Sequence, residues 1–287
     1  MNILDDLKLQ YRLGGIVLRL IFWNVICFLV SLVFFYQFKF GAFDFPNWLA
    51  LSSDPSVFIT RPWTFLSYAF FHDGFGHLFF NMLVLNFAST LFLTFFTPKQ
   101  YLGLYLLSAV FSGIMFVLGY FFLNLSAPIV GASAAIMAIL VATTTYHPLM
   151  NIRLLIIGNV KLWHITAVYI LIDLINIRLE NTGGHISHLS GALFGFIFIK
   201  LLQNGIDLSK IVSAVIDFFT NFFKKSTSVP FKKVHKNYSR PIEKRASKII
   251  TKDKGQQQID EILDKISKSG YDCLTKEEKE FLFKVGK

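Results

Sequence analysis

Six apolar runs crowd the stretch between Leu20 and Leu202, and each approaches the length that crosses a lipid bilayer. They cover Leu20–Phe38, Gly76–Phe96, Tyr101–Leu123, Ile129–Tyr146, Leu162–Ile177 and Gly184–Leu202. A hydrocarbon core about 30 Å thick takes roughly 20 helical residues, so the fourth and fifth runs are short for it. Short spans are tolerated where a helix packs inside a bundle or borders a water-filled cavity. The pattern predicts an all-α membrane protein with a six-transmembrane-helix bundle. Composition agrees: 54% of the 287 residues are hydrophobic and 16% are charged, against about 25% charged in soluble chains.

The formal net charge of +10 is unevenly placed, because Lys224 to Lys287 is Lys-rich and hydrophilic. It describes a tail rather than a nucleic-acid-binding face, and no nucleic acid is expected as a partner. Cys27 and Cys273 lie in regions too different to suggest a disulfide, and neither stands in a metal-binding spacing. The segment Met1 to Arg19 carries Asp5, Asp6, Lys8, Arg12 and Arg19. The apolar run behind it is too long for a cleavable leader and reads as a first span.

With six spans, Lys8, Arg12, Lys99, Arg153, Lys161 and the basic tail fall on one side, and Lys39, Arg61 and Arg178 on the other. Basic residues favour the cytoplasmic side, so both termini are expected there. A multi-pass protein of a bacterial inner membrane is the expected location. The domains expected are a cytoplasmic N-terminal segment (1–19), a six-span domain (20–202), an amphipathic and basic linker (203–255) and a small helical cytoplasmic tail (256–287). Within the linker, Ile206 to Phe223 sets apolar residues among Lys and Asp, as in a helix lying along the inner leaflet. Lys224 to Lys254 has the composition of a disordered segment near anionic lipid. The first outer loop, Lys39 to Phe75, is rich in aromatics, among them Phe40, Trp48, Trp63 and Phe65. That density suits either a segment partly sunk in the headgroup region or an ordinary aromatic belt.

Polar groups inside a membrane are costly and each needs a reason. They cluster in three places. The second span opens with His77 and Asn81, four apart on one helix face, with His72 just before. The fourth opens with Gly131-Ala132-Ser133-Ala134. The sixth opens with His185-Ile186-Ser187-His188, followed by Gly191 and Gly195. With the N-terminus inside, every even-numbered span starts on the outer side, so His77, Asn81, Ser133 and His188 share one depth.

A serine hydroxyl is a weak nucleophile that needs a neighbouring base, and neutral His supplies one near pH 7. The oxyanion formed on acyl transfer needs fixed donors. The Ser133 amide, in the free-donor turn of its helix, and the side chains of His77 and Asn81 are candidates. Two histidines compete for the base. At 100° per residue His188, Gly191 and Gly195 fall within about 60° of arc, and Gly-x-x-x-Gly marks a close helix approach. The base must face that neighbour, so His188 is chosen. His185 is expected to face the cavity mouth or cap its helix. Asp173 shows no partner and is given no catalytic role.

The elements Gly131-x-Ser133, His188-x-x-Gly191-x-x-x-Gly195 and His77-x-x-x-Asn81 resemble the signature of the rhomboid intramembrane proteases, over roughly Trp63 to Leu202. The resemblance implies a serine endopeptidase that cuts single-span membrane proteins. Ser133 is then the nucleophile and His188 the general base, a dyad without an aspartate. His77, Asn81 and the Ser133 amide form the oxyanion hole, and Gly131, Gly191 and Gly195 serve helix packing. The site would lie at the floor of a water-filled cavity opening outward and gated by the fifth helix. No cofactor and no metal are implied, and the partners are transmembrane protein substrates and the bilayer. Ala134 stands where the family often has Gly, Trp63-Thr64 where it often has Trp-Arg, and Leu93 where it often has an acidic residue. The rival readings are a catalytically inactive relative that binds membrane clients, a transporter, and a metal-dependent protein using His72, His77, His185 and His188. No intramembrane carboxylate is expected to join those histidines.

Overall fold

The computed structural model describes residues 2–154, 158–179, 181–223 and 254–285. The chain divides into two compact units, Met1–Ser226 and Thr227–Lys287. The expected basic disordered segment falls almost wholly on residues 224–253, outside the described residues.

In the first unit α1 (Ile3–Leu13) leads into α2 (Gly15–Phe34), and the short helices α3 (Pro55–Phe58) and α4 (Thr64–Ser67) lie in the long loop that follows. Then come α5 (Phe75–Leu93), α6 (Pro98–Leu123), α7 (Ser133–Tyr146), α8 (Leu162–Asn176), α9 (Thr182–Gln203) and α10 (Ser209–Phe223). The helices α2, α5, α6 and α9 are long and apolar enough to cross a membrane; α7 and α8 are apolar but shorter. All six apolar runs are therefore helical, with shifted edges. The first helix starts five residues before the expected Leu20 and stops at Phe34. Its expected last turn leaves the helix, because β1 (Tyr36–Gln37) turns through Gly41 to pair with β2 (Ala42–Phe43).

Local sequence explains several boundaries. Thr97-Pro98-Lys99-Gln100 is a capping box with proline at the first helical position: Gln100 N–H donates to Thr97 Oγ1 at 3.2 Å and Thr97 N–H donates to Gln100 Oε1 at 2.9 Å. Both bonds satisfy amides that a helix start otherwise leaves free. Asn181, in the left-handed conformation, caps α9 by accepting from Gly184 N–H at 3.2 Å. The expected cap, His185, is thus not the one used.

The core sits around α7. Every residue from Ala134 to Thr143 is buried, as expected for a helix that is apolar all round. Fourteen residues rise about 21 Å, short of the hydrocarbon thickness, and neighbours rather than lipid cover this helix. Alanines make close packing possible. A methyl added at Gly191 would lie 2.1 Å from the Ala134 carbonyl oxygen, and one at Gly195 2.2 Å from that of Ala138. The two backbones therefore touch along these glycines.

The loops are tied to the same core. Strand β3 (Leu51–Ser52) pairs antiparallel with β4 (Pro128–Ile129), and Gly131 N–H donates to the Tyr68 carbonyl at 2.9 Å. The first long loop thereby anchors the segment that delivers Ser133. Between α7 and α8, β5 (Asn151–Leu154) and β6 (Gly158–Lys161) form an antiparallel pair. After α9, Ser209 at the head of α10 packs so tightly on α6 that a methyl at Gly103 would lie 2.5 Å from its Cβ. In the second unit, α11 (Lys254–Ser269) and α12 (Lys276–Val285) are bridged by Lys265 Nζ to Glu278 Oε1 at 2.5 Å.

Candidate active site

Ser133 is the first residue of α7, so its N–H belongs to the amides that the helix itself does not use. Gly131, two residues earlier, has φ +141, a conformation that L side chains rarely adopt. The turn it permits presents the Ser133 hydroxyl to α9. There His188 Nε2 lies 2.6 Å from Ser133 Oγ, one turn N-terminal to Gly191, where the two helices touch. The glycine contact and the hydrogen bond are parts of one arrangement: without the first, the second would be out of reach.

These groups border a cavity of about 850 Å³, also lined by His77, Asn81, Tyr169, Gly131 and Ser187. Asn81 is buried, and its amide makes no hydrogen bond among the described residues, which leaves its N–H groups free for a ligand. His77 donates from Nδ1 to Asp73 Oδ1 at 2.5 Å. Its other nitrogen faces the Gly131 backbone. A methyl placed on Gly131 would lie 3.1 Å from His77 Nε2 and 3.5 Å from Ser133 Oγ. Imidazole edge and hydroxyl therefore converge on one small space that only glycine leaves open.

Electrostatics at this wall follow from burial. His72 is fully enclosed, and burial foremost, with His77 beside it, pushes its pKa down to about 3, so it is neutral. The hydrogen bond from His77 holds the Asp73 carboxyl below the usual carboxylate range.

Three expectations are corrected behind His188. Asp173 does have partners: its Oδ1 accepts from His185 Nδ1 at 2.7 Å and from His188 Nδ1 at 2.8 Å. An intramembrane carboxylate thus joins two of the histidines. His185 consequently points between α8 and α9 rather than toward the cavity mouth. An acidic residue in an apolar run implies a partner, and that was the available signal. The rotation of α8 against α9, which decides the partner, has no counterpart in residue spacing. Among the described residues Asp173, His185 and His188 form a three-donor group within 4.8 Å. His72 and His77 stand apart from it, so the four histidines do not assemble one ligand set.

Chemically, the arrangement places a hydroxyl on a base, amide and imidazole edges around the space next to that hydroxyl, and a carboxylate behind the base. Residues 60–204 match the family model described as Rhomboid domain. Residues 250–285 match one described as a family of unknown function (DUF6576). No curated protein matches the chain at a significant level.

Proposed function

The chain belongs to the rhomboid family, and we propose that it is an intramembrane serine endopeptidase that cleaves single-span membrane proteins with Ser133 and His188. It is an integral membrane protein. In this reading α7 and α8 join the four longer helices as six spans, with both termini cytoplasmic and the cavity opening outward. The carrying observation is the 2.6 Å contact between Ser133 Oγ and His188 Nε2 beside the cavity.

Ser133 Oγ attacks the scissile carbonyl carbon while its proton passes to His188 Nε2. The carbonyl oxygen becomes an oxyanion, which the Ser133 N–H and the Asn81 amide surround; His77 joins them as an imidazolium, with Nδ1–H on Asp73 and Nε2–H toward the oxyanion. Collapse breaks the C–N bond, and the leaving amine takes the proton from His188. Water, deprotonated by the same imidazole, then hydrolyses the acyl-enzyme. Substrate enters from the bilayer, and a helix that unwinds near the cut supplies the extended backbone that a hydroxyl can reach.

The test is cleavage of a model single-span protein by the full chain in liposomes. Ser133→Ala and His188→Ala are expected to abolish it, each by at least about 1,000-fold. Cleavage surviving Ser133→Ala would sink the mechanism. Wild type that binds single-span proteins without cutting any would move the function to client binding.

A further inference from the structure

We propose that Asp173 is the positioning carboxylate of the Ser133–His188 pair, keeping the His188 proton on Nδ1 so that Nε2 faces Ser133 as a base. The proposal rests on the endopeptidase reading and adds a third member to its machinery. A neutral imidazole carries one N–H and one lone pair. To accept the Ser133 proton, the lone pair must be on Nε2 and the N–H on Nδ1. The contact with Ser133 does not enforce this, because an Nε2–H tautomer can donate to the same hydroxyl at the same distance. An ionised carboxylate only accepts, so Asp173 Oδ1 at 2.8 Å from Nδ1 selects the tautomer that works.

The same contact serves the reaction itself. When Ser133 transfers its proton, His188 becomes an imidazolium, and the carboxylate already faces it in a site of low dielectric. No proton needs to move to Asp173: both N–H bonds of the imidazolium persist until the leaving amine takes the one on Nε2.

The second donor explains how a membrane helix keeps this carboxylate. The Asp173 side chain is 6% exposed, and an unpaired charge buried there would cost several kcal/mol. His185, one turn before His188 on α9, donates to the same oxygen. Two N–H groups from one helix thus clamp one oxygen of the next, fixing α8 against α9 at the level of Ser133. The other charged groups lining the cavity are Asp73, paired with His77, and Asp44, which accepts from Gln37 Nε2 at 2.8 Å.

The experiment uses the full chain in liposomes with a single-span substrate, reading kcat and KM separately. Asp173→Asn, which keeps the shape but can donate to Nδ1, is expected to lower kcat by about 100- to 10,000-fold with KM within about threefold. Asp173→Glu is expected to recover at least about tenfold over Asn. A readout free of variants at Asp173 is the histidine ring nitrogens of the wild-type protein, where magnetic resonance is expected to find the His188 proton on Nδ1. Ser133-dependent cleavage with kcat of Asp173→Asn near wild type would overturn the positioning role alone. So would a proton on Nε2, or Asn and Glu variants equally slow and equally destabilised. Loss of activity on chelation with recovery on adding zinc would make the Asp173–His185–His188 group a metal site instead. Cleavage independent of Ser133 would overturn the endopeptidase reading and this proposal together.

Discussion

Two carboxylate–imidazole pairs, Asp73–His77 and Asp173–His188, each contribute an imidazole to the cavity lining, and their surroundings give them different properties. Asp73 is 66% exposed at its side chain, whereas Asp173 is enclosed between helices. The Asp73–His77 pair is therefore the one that pH can probe without unpacking the bundle. Its folded carboxyl is held low, chiefly by the hydrogen bond from His77. A depressed folded value means that the stabilisation is complete above the unfolded carboxylate range, about pH 4. It is lost as pH falls through the lower folded value. Thermal unfolding in detergent should show Asp73→Asn less stable than wild type at pH 7, by less than about 1 kcal/mol given the exposure. The gap should close as pH falls through the folded carboxyl's lowered value. A gap unchanged in acid would mean that asparagine disturbs packing rather than removing a charge. At this scale the sequence told which residue types were available, since Ser133, His188, His77 and Asn81 stood out as polar groups in apolar helices. It did not tell who bonds to whom. Residue spacing gives Asp173 no partner and leaves His185 to the cavity mouth or a helix cap, because both outcomes depend on helix rotation.

Packing between elements turns those residues into a site. Helix α7 meets α9 through Gly191 and Gly195, where added methyls would lie 2.1 Å and 2.2 Å from carbonyl oxygens. Backbone cannot give way as a flexible side chain can, so the helices must separate to admit even one carbon. Gly195 lies two turns from His188 and touches no part of the cavity. Gly195→Ala should nevertheless destabilise the protein by about 1–3 kcal/mol and lower cleavage by at least about tenfold, because separation lengthens the Ser133–His188 contact. Gly119→Ala is the comparison: its methyl would meet only the Ile186 side chain, nearest at 3.0 Å, and should cost much less. Melting temperature and kcat of the two variants decide the matter, and equal effects would refute the backbone-contact account. This approach was legible beforehand, since Gly-x-x-x-Gly states its own geometry. The ends of α2 were not, because the β1–β2 hairpin that stops it depends on contacts made by the loop.

At the scale of the whole chain, the boundary of the working unit matters most. The apolar pattern ended the bundle at Leu202, and the family match ends at residue 204. The compact unit continues to Ser226, because the head of α10 packs on α6, although Ile211, Val215, Phe218, Phe219 and Phe222 stay exposed. Its amphipathic pattern was visible in Ile206 to Phe223, but such a pattern does not say whether lipid or protein covers the apolar face. The contact that joins α10 to the bundle lies at Ser209 against Gly103 of α6, and Asp207 secures it by accepting from Ser209 N–H at 2.9 Å. Gln100, in the capping box of α6, reaches the same carboxylate at 3.4 Å. Cutting before α10 would expose the glycine face of α6 and remove a partner from the start of a helix that supports α7 and α9. Cutting after it removes nothing that lines the cavity, since all the lining residues lie between Phe43 and His188. A chain ending at Ser226 should therefore fold and cleave a single-span substrate within about threefold of the full chain. One ending at residue 204 should melt lower and cleave less, by at least about tenfold. The threefold and tenfold marks correspond to roughly 0.7 and 1.4 kcal/mol of barrier. Equal activity of the two shortened chains would show α10 to be dispensable. Loss of activity in the longer one would mean that residues 227–287 act on the site directly, a role that none of the contacts within the first unit requires.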